Sequence, residues 1–270
     1  MQGSGPALVL VPGLACSHLY YVRLQRHLAA HFEVWAYDPP GHGLTPAPPG
    51  AYLDAGSLAR HLAGWLRATG LMGVPLFGHS QGGEVLLHLA STSPDLASHL
   101  VLCAPSGREE TAPTARLLGH LLLDIRHERP GFLMRLLRSY VRTGVRRSWK
   151  LLRAGRHDVT FRLAAQVRSP TLILEGELDR VVRRDALLRL SLLLPNARRV
   201  RIRGGGHALH DRQAQVVAHT VTAFVQGRPV EQVEDTLARV RGKAQGSVKF
   251  ANPKEAEEES ATARLLRAVE

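Results

Sequence analysis

The stretch Leu76–Phe77–Gly78–His79–Ser80–Gln81–Gly82–Gly83 decides how the rest of the chain is read. A short apolar run breaks into G-H-S-Q-G and passes at once into Glu84–Val85–Leu86–Leu87–His88–Leu89–Ala90, which has a helical pattern. Such a junction is a tight strand-to-helix turn that pushes the serine at its tip out of the backbone. Gly78 and Gly82 stand two residues to either side, where a side chain would collide with the neighbouring strand or helix. Ser80 is therefore the candidate nucleophile.

Working outward, the chain alternates strand and helix. Ala7–Leu8–Val9–Leu10–Val11 is a continuous apolar run ended by Pro12–Gly13, as in a strand buried on both faces. A helical pattern follows over residues 20–31, then a strand at Glu33–Val34–Trp35–Ala36–Tyr37, closed by the turn signal Asp38–Pro39–Pro40–Gly41–His42–Gly43. Residues 57–70 are predicted as a helix with Ser57 as its N-cap and Gly70 as its stop. The Ser80 strand, a helix over residues 82–93 and a strand at 99–103 complete this half. Strands alternating with helices predict a parallel sheet with right-handed crossovers and a site at the carboxyl ends of the strands.

From residue 107 to 168 the alternation stops. Leu117, Leu118, Leu121 and Leu122 form one helical group, and Phe132, Leu133, Leu136, Leu137 and Tyr140 another. An all-helical insertion in an α/β chain is most simply a lid over the carboxyl-end face. The alternation then resumes: a strand at 171–174, a helix at 186–193, an edge-type strand at 199–202 where charged and apolar residues alternate, and a last helix over 212–225. The expected organisation is an α/β core from 1–106 and 169–226, a helical lid from 107–168, and an extension from 227–270. In the extension, two candidate helices flank a linker, and Glu255, Glu257, Glu258 and Glu259 cluster.

With 270 residues, 44% of them hydrophobic, one large core is expected. Cys16 and Cys103 lie far apart in apolar surroundings and fit reduced thiols, so no disulfide and no metal site are expected. The N-terminus has no basic n-region and its apolar run is too short for a signal peptide or a membrane span, which makes a cytoplasmic location the expectation. The net charge of +12 is uneven, with 14 basic against 5 acidic residues between Arg108 and Arg168. Such an excess can face nucleic acid or anionic lipid. A compositional preference for arginine and the lack of interleaved aromatics favour a solvated face, and nucleic acid is not an expected partner.

A serine hydroxyl needs a base held in one tautomer by a third group. His207, on the loop Gly204–Gly205–Gly206–His207 after a strand, can serve as base, and Asp179, in Glu175–Gly176–Glu177–Leu178–Asp179, can accept its other N–H. His210 is the rival base, Glu175 and Glu177 are rival acids, and Asp185 falls within a helix. His42 is expected to brace its own turn, and His79 to pack.

The chain resembles the α/β-hydrolase fold superfamily over residues 6–226. The matching motifs are Val11–Pro12–Gly13–Leu14, Asp38–Pro39–Pro40–Gly41–His42–Gly43–Leu44–Thr45, Gly78–His79–Ser80–Gln81–Gly82, Glu175–Gly176–Glu177–Leu178–Asp179 and Gly206–His207–Ala208–Leu209. The resemblance implies a mostly parallel doubly wound sheet, with the leading antiparallel strands missing and the lid inserted after the fourth core strand. It implies a Ser80–His207–Asp179 triad, with the backbone N–H groups of Leu14 and Gln81 as the oxyanion hole. Relatives often carry His-Gly where this chain has Pro12–Gly13.

The implied activity is hydrolysis of a small-molecule carboxylic ester with an apolar acyl or alcohol group, without metal or organic cofactor. Leu14, Cys16, His79, Phe132, Met134 and Tyr140 are the candidate substrate-contacting residues, with Leu121, Leu137 and Trp149 as further pocket candidates. C–C bond hydrolases, thioesterases, amidases and perhydrolases use the same triad, and some members of the fold only bind ligands. No integral membrane association is expected, and a homo-oligomer is left open.

Overall fold

A computed structural model describes residues 1–47, 54–106, 119, 128–154 and 160–230. Strands β1 (Ala7–Val11), β2 (Glu33–Ala36), β3 (Val74–His79), β4 (Ala97–Cys103), β5 (Thr171–Gly176) and β6 (Ala197–Ile202) form one sheet in the order β2-β1-β3-β4-β5-β6. All of its pairings are parallel. The strands in the middle are apolar and buried on both faces, as crossovers that place helices on each side require. β6 lies at an edge, and its alternation of arginine with valine and isoleucine matches a strand with one wet face. No leading antiparallel strand precedes β1 among the described residues, where a lone antiparallel bridge joins Gln2 to Val34.

The helices are α1 (Val22–Leu28), α2 (Ala55–Ala68), α3 (Gln81–Thr92), α4 (Pro130–Thr143), α5 (Val145–Ala154), α6 (Thr160–Ala164), α7 (Arg184–Leu193), α8 (Leu209–Arg212) and α9 (Ala214–Val225). Three boundaries differ from the sequence expectation. The segment predicted as one helix over residues 20–31 is a 3-10 turn at His18–Tyr21 followed by α1. The last helix breaks at Gln213, whose φ of −118° and ψ of 37° are not helical. The N-cap of α2 is Asp54, not Ser57. Asp54 Oδ1 accepts the Ser57 N–H at 2.8 Å and Oδ2 accepts the Ser57 hydroxyl at 2.8 Å. Both side chains are good caps, and the carboxylate wins because it sits one turn earlier and takes both bonds. The group Leu117–Leu118–Leu121–Leu122, the histidines at 120, 127 and 157, and the tail beyond residue 230 lie outside the described residues.

Helix α4 rests on the segment after β1. Ser139 Oγ meets Ser17 Oγ at 2.8 Å in a buried contact, and the Thr143 hydroxyl donates to the Ala15 carbonyl at 3.0 Å. From α5, Arg147 donates to the Pro40 carbonyl at 2.9 Å, tying the helical segment to the turn after β2. In that turn His42 bonds the Pro40 carbonyl through Nδ1 at 2.9 Å, bracing it as expected.

Replacing Asp54 by alanine removes the cap of α2 and should lower stability by about 1 kcal/mol. Urea unfolding should show a lower midpoint with an unchanged slope.

Candidate functional site

Ser80 follows β3 directly and stands at φ 51°, ψ −120°, immediately before α3. That conformation is disfavoured for an L-residue and persists only where its surroundings enforce it. They do so through two glycines. A Cβ on Gly78 would lie 2.5 Å from the Gly82 carbonyl oxygen, and a Cβ on Gly82 would lie 2.3 Å from the Val11 carbonyl oxygen. The Ser80 N–H donates to the Cys103 carbonyl at 3.0 Å, which fastens the turn to the end of β4.

β1 runs beside β3, with Val11 opposite Gly78. Its continuation therefore arrives next to Ser80, and a Cβ on Gly13 would come 3.4 Å from Ser80 Cβ. Among the described residues, the N–H groups of Leu14 and Gln81 have no hydrogen-bond partner. Gln81 is the first residue of α3, where an N–H has no acceptor within the helix and the helix dipole favours negative charge.

The loops after β5 and β6 are zipped together. Leu178 N–H donates to the Gly205 carbonyl at 2.7 Å, and Gly204 N–H donates to Glu177 Oε2 at 2.7 Å. Gly176 allows this approach, since a Cβ there would stand 2.5 Å from the Gly206 carbonyl oxygen. The zipper brings Asp179 against His207, with Nδ1 and Oδ2 at 3.0 Å. Asp179 Oδ1 accepts from the N–H groups of Val181 at 2.7 Å and Val182 at 3.1 Å. Burial alone would raise the Asp179 carboxyl, but His207 and these donors outweigh it and hold it below the usual carboxylate range. It is therefore ionised at neutral pH and accepts the Nδ1–H of His207, leaving Nε2 as an acceptor.

The rivals for these places are engaged elsewhere. Glu175 pairs with Arg201 and, at 3.7 Å, with Arg199, while Glu177 accepts from Gly204. Asp185 is in the first turn of α7 and pairs with Arg183. His210 is completely buried, with its ring centroid 4.2 Å from Tyr20 and 4.4 Å from His79.

Sequence reasoning gave His79 a packing role and missed what else it does. It is fully buried, and its Nε2–H donates to the His207 carbonyl at 2.8 Å. Its Nδ1 accepts from the Tyr20 hydroxyl at 3.2 Å. The residue before Ser80 thus grips the backbone of His207 across the intervening strands. Its partners are 59 and 128 positions away, so no local pattern could signal them.

His79, Cys103 and His210 have potential metal-ligand atoms within 4.8 Å of one another. With both His79 nitrogens engaged and the Cys103 thiol pushed up by burial, the trio fits a packed core. Cys16 is buried, and its Sγ–H donates to the Leu14 carbonyl at 3.2 Å, under α4. Phe132 is buried and Tyr140 partly so, whereas Met134, Leu137 and Trp149 are 47–56% exposed. Leu121 lies outside the described residues.

Residues 6–155 match the family described as alpha/beta hydrolase fold. The chain is 27% identical to a pimeloyl-[acyl-carrier protein] methyl ester esterase of Xanthomonas campestris over 84% of its own length and 98% of that protein's. It is also 31% identical, over 83% of its length, to part of the polyketide synthase ThaQ of Burkholderia thailandensis, of which it spans 12%. Among solved structures, a thermophilic esterase from Thermogutta terrifontis superposes with a TM-score of 0.68 at 21% identity, covering 84% of this chain and 91% of the other. That likeness shows the fold.

Burial pushes the His79 imidazole down to about 3 and lowers His210 well below its ordinary value. Both stay neutral in the fold, while the unfolded chain takes up protons on them below about pH 6.5. Their contribution to stability is full above that pH and is lost as pH falls, by up to about 1.4 kcal/mol per unit per group. Urea unfolding from pH 7 to 5 should show this loss. The His79 ring resonances should stay flat over the same range.

Proposed function

The chain belongs to the alpha/beta hydrolase fold family and is a hydrolase of ester-type substrates, and we propose that it cleaves a carboxylic ester bearing an apolar acyl or alcohol group through Ser80, His207 and Asp179. The observation that carries this reading is the Asp179–His207 bond, which fixes the imidazole in the tautomer whose Nε2 is the basic nitrogen, in a fold that also holds Ser80 out on a strained turn.

In this mechanism the Ser80 hydroxyl attacks the ester carbonyl carbon as its proton passes to His207 Nε2. The oxyanion is held by the N–H groups of Leu14 and Gln81, which cost no reorganisation because loop and helix fix them in advance. The tetrahedral intermediate collapses, the C–O bond breaks, and His207 protonates the departing alcohol. Water then attacks the acyl-serine, with the same base and the same donors. Asp179 remains ionised throughout and stabilises the imidazolium. Leu14, Cys16, His79, Phe132 and Tyr140 would form the apolar surroundings of the substrate. The similarity to a methyl ester esterase of an acyl chain supports an ester of this kind.

Ser80→Ala should abolish hydrolysis of a short p-nitrophenyl ester and lose labelling by a fluorophosphonate that modifies the wild type at Ser80. Undiminished turnover would overturn the mechanism, and absence of labelling in folded wild type would mark a ligand-binding member of the fold. Asp179→Asn should lower kcat on the order of ten-thousandfold with a smaller effect on KM, because the histidine loses its tautomer.

A further inference from the structure

The outer face of the helical segment carries chemistry that ester cleavage does not use. Between Arg129 and Ala154 there are eight Arg and Lys residues and no Asp or Glu. Two of the eight are committed inward, Arg135 to Asp211 and Arg147 to the Pro40 carbonyl. Arg138, Arg142, Arg146 and Lys150 are exposed, and among the described residues no carboxylate pairs with them.

Beside these cations lies a row of exposed apolar side chains: Leu137 at 56%, Val141 at 70%, Val145 at 85% and Trp149 at 47%. On α4 the spacing of 137 and 141 puts two of them on one strip, and 138 and 142 form the adjacent strip. On α5, Val145 and Trp149 are again one turn apart, and Arg153 lies over the Trp149 ring at 5.9 Å. Large apolar side chains left this exposed in a row mark a surface that meets a partner.

The cations exclude a basic partner and select an anionic one. An apolar strip on two short helices, flanked by arginines and ending in tryptophan, is the composition of helices that lie in the headgroup boundary of a bilayer. No described helix is long and apolar enough to cross a membrane, so the contact is with the surface. We propose that the outer face of α4 and α5 docks the protein on an anionic phospholipid bilayer. The opposite side of α4 rests on residues 15 and 17, so docking sets the helical segment between the lipid and the candidate site.

The test is co-sedimentation of the full chain with phosphatidylcholine vesicles, with and without phosphatidylglycerol. The protein should pellet with the anionic vesicles at about 0.1 M salt, stay in solution with the neutral ones, and be released at about 0.5 M salt as the charges are screened. The triple substitution R138Q/R142Q/R146Q should weaken partitioning by about fivefold per charge, on the order of a hundredfold together. That variant should keep wild-type turnover of a short water-soluble ester, which separates loss of docking from loss of the site. V141S/V145S, which keeps every charge, should also weaken binding. Wild type remaining in solution with anionic vesicles, or a triple variant that pellets as well as wild type, would overturn the proposal. Retention on immobilised polyglutamate without binding to vesicles would also overturn it, in favour of an acidic protein partner.

Discussion

One close approach of backbone to backbone sets the rest of the site. Helix α3 begins where a Cβ on Gly82 would overlap the carbonyl oxygen of Val11, so the start of the helix is pressed directly against the end of β1. That contact forces the chain to reverse within one residue, and the residue is Ser80, at φ 51°. The same contact brings the segment after β1 alongside the serine and places two backbone N–H groups at one end of the sheet. A strained serine, a helix N-terminus and an apposed loop thus arise from one steric fact, the absence of a Cβ at positions 78 and 82.

The second half of the site is built by hydrogen bonds. The loops after β5 and β6 come from strands that are neighbours in the sheet, and the Leu178–Gly205 bond draws them together until Asp179 meets His207. His79 then spans from the first assembly to the second. Neutrality is a condition of that bond network: a charged ring could not accept from Tyr20, and burial keeps the ring uncharged.

Much of this was legible in the sequence because period and punctuation report backbone state. Apolar runs of five or six residues ended by Gly or Pro gave the strands, and the glycines around Ser80 gave the turn. Ser57 and Asp54 show where the method loses resolution: two competent caps one turn apart differ only in which carboxylate or hydroxyl geometry closes. The links of His79 to Tyr20 and His207, and of Arg135 to Asp211, were invisible for another reason. They join residues whose proximity is created by the finished sheet, and a lone histidine or arginine in a sequence carries no mark of a distant partner.

The pairing of Arg135 with Asp211 has a mechanical result. Asp211 is buried four residues beyond His207, and it is held by Arg135 of α4 at 2.6 Å and, more loosely, by Arg23 of α1 at 3.9 Å. Any lifting of α4 away from the core must break the shorter of these bonds and leave a sequestered anion with its weaker counterion. The position of α4 and the short segment that follows His207 are therefore tied to each other through one carboxylate.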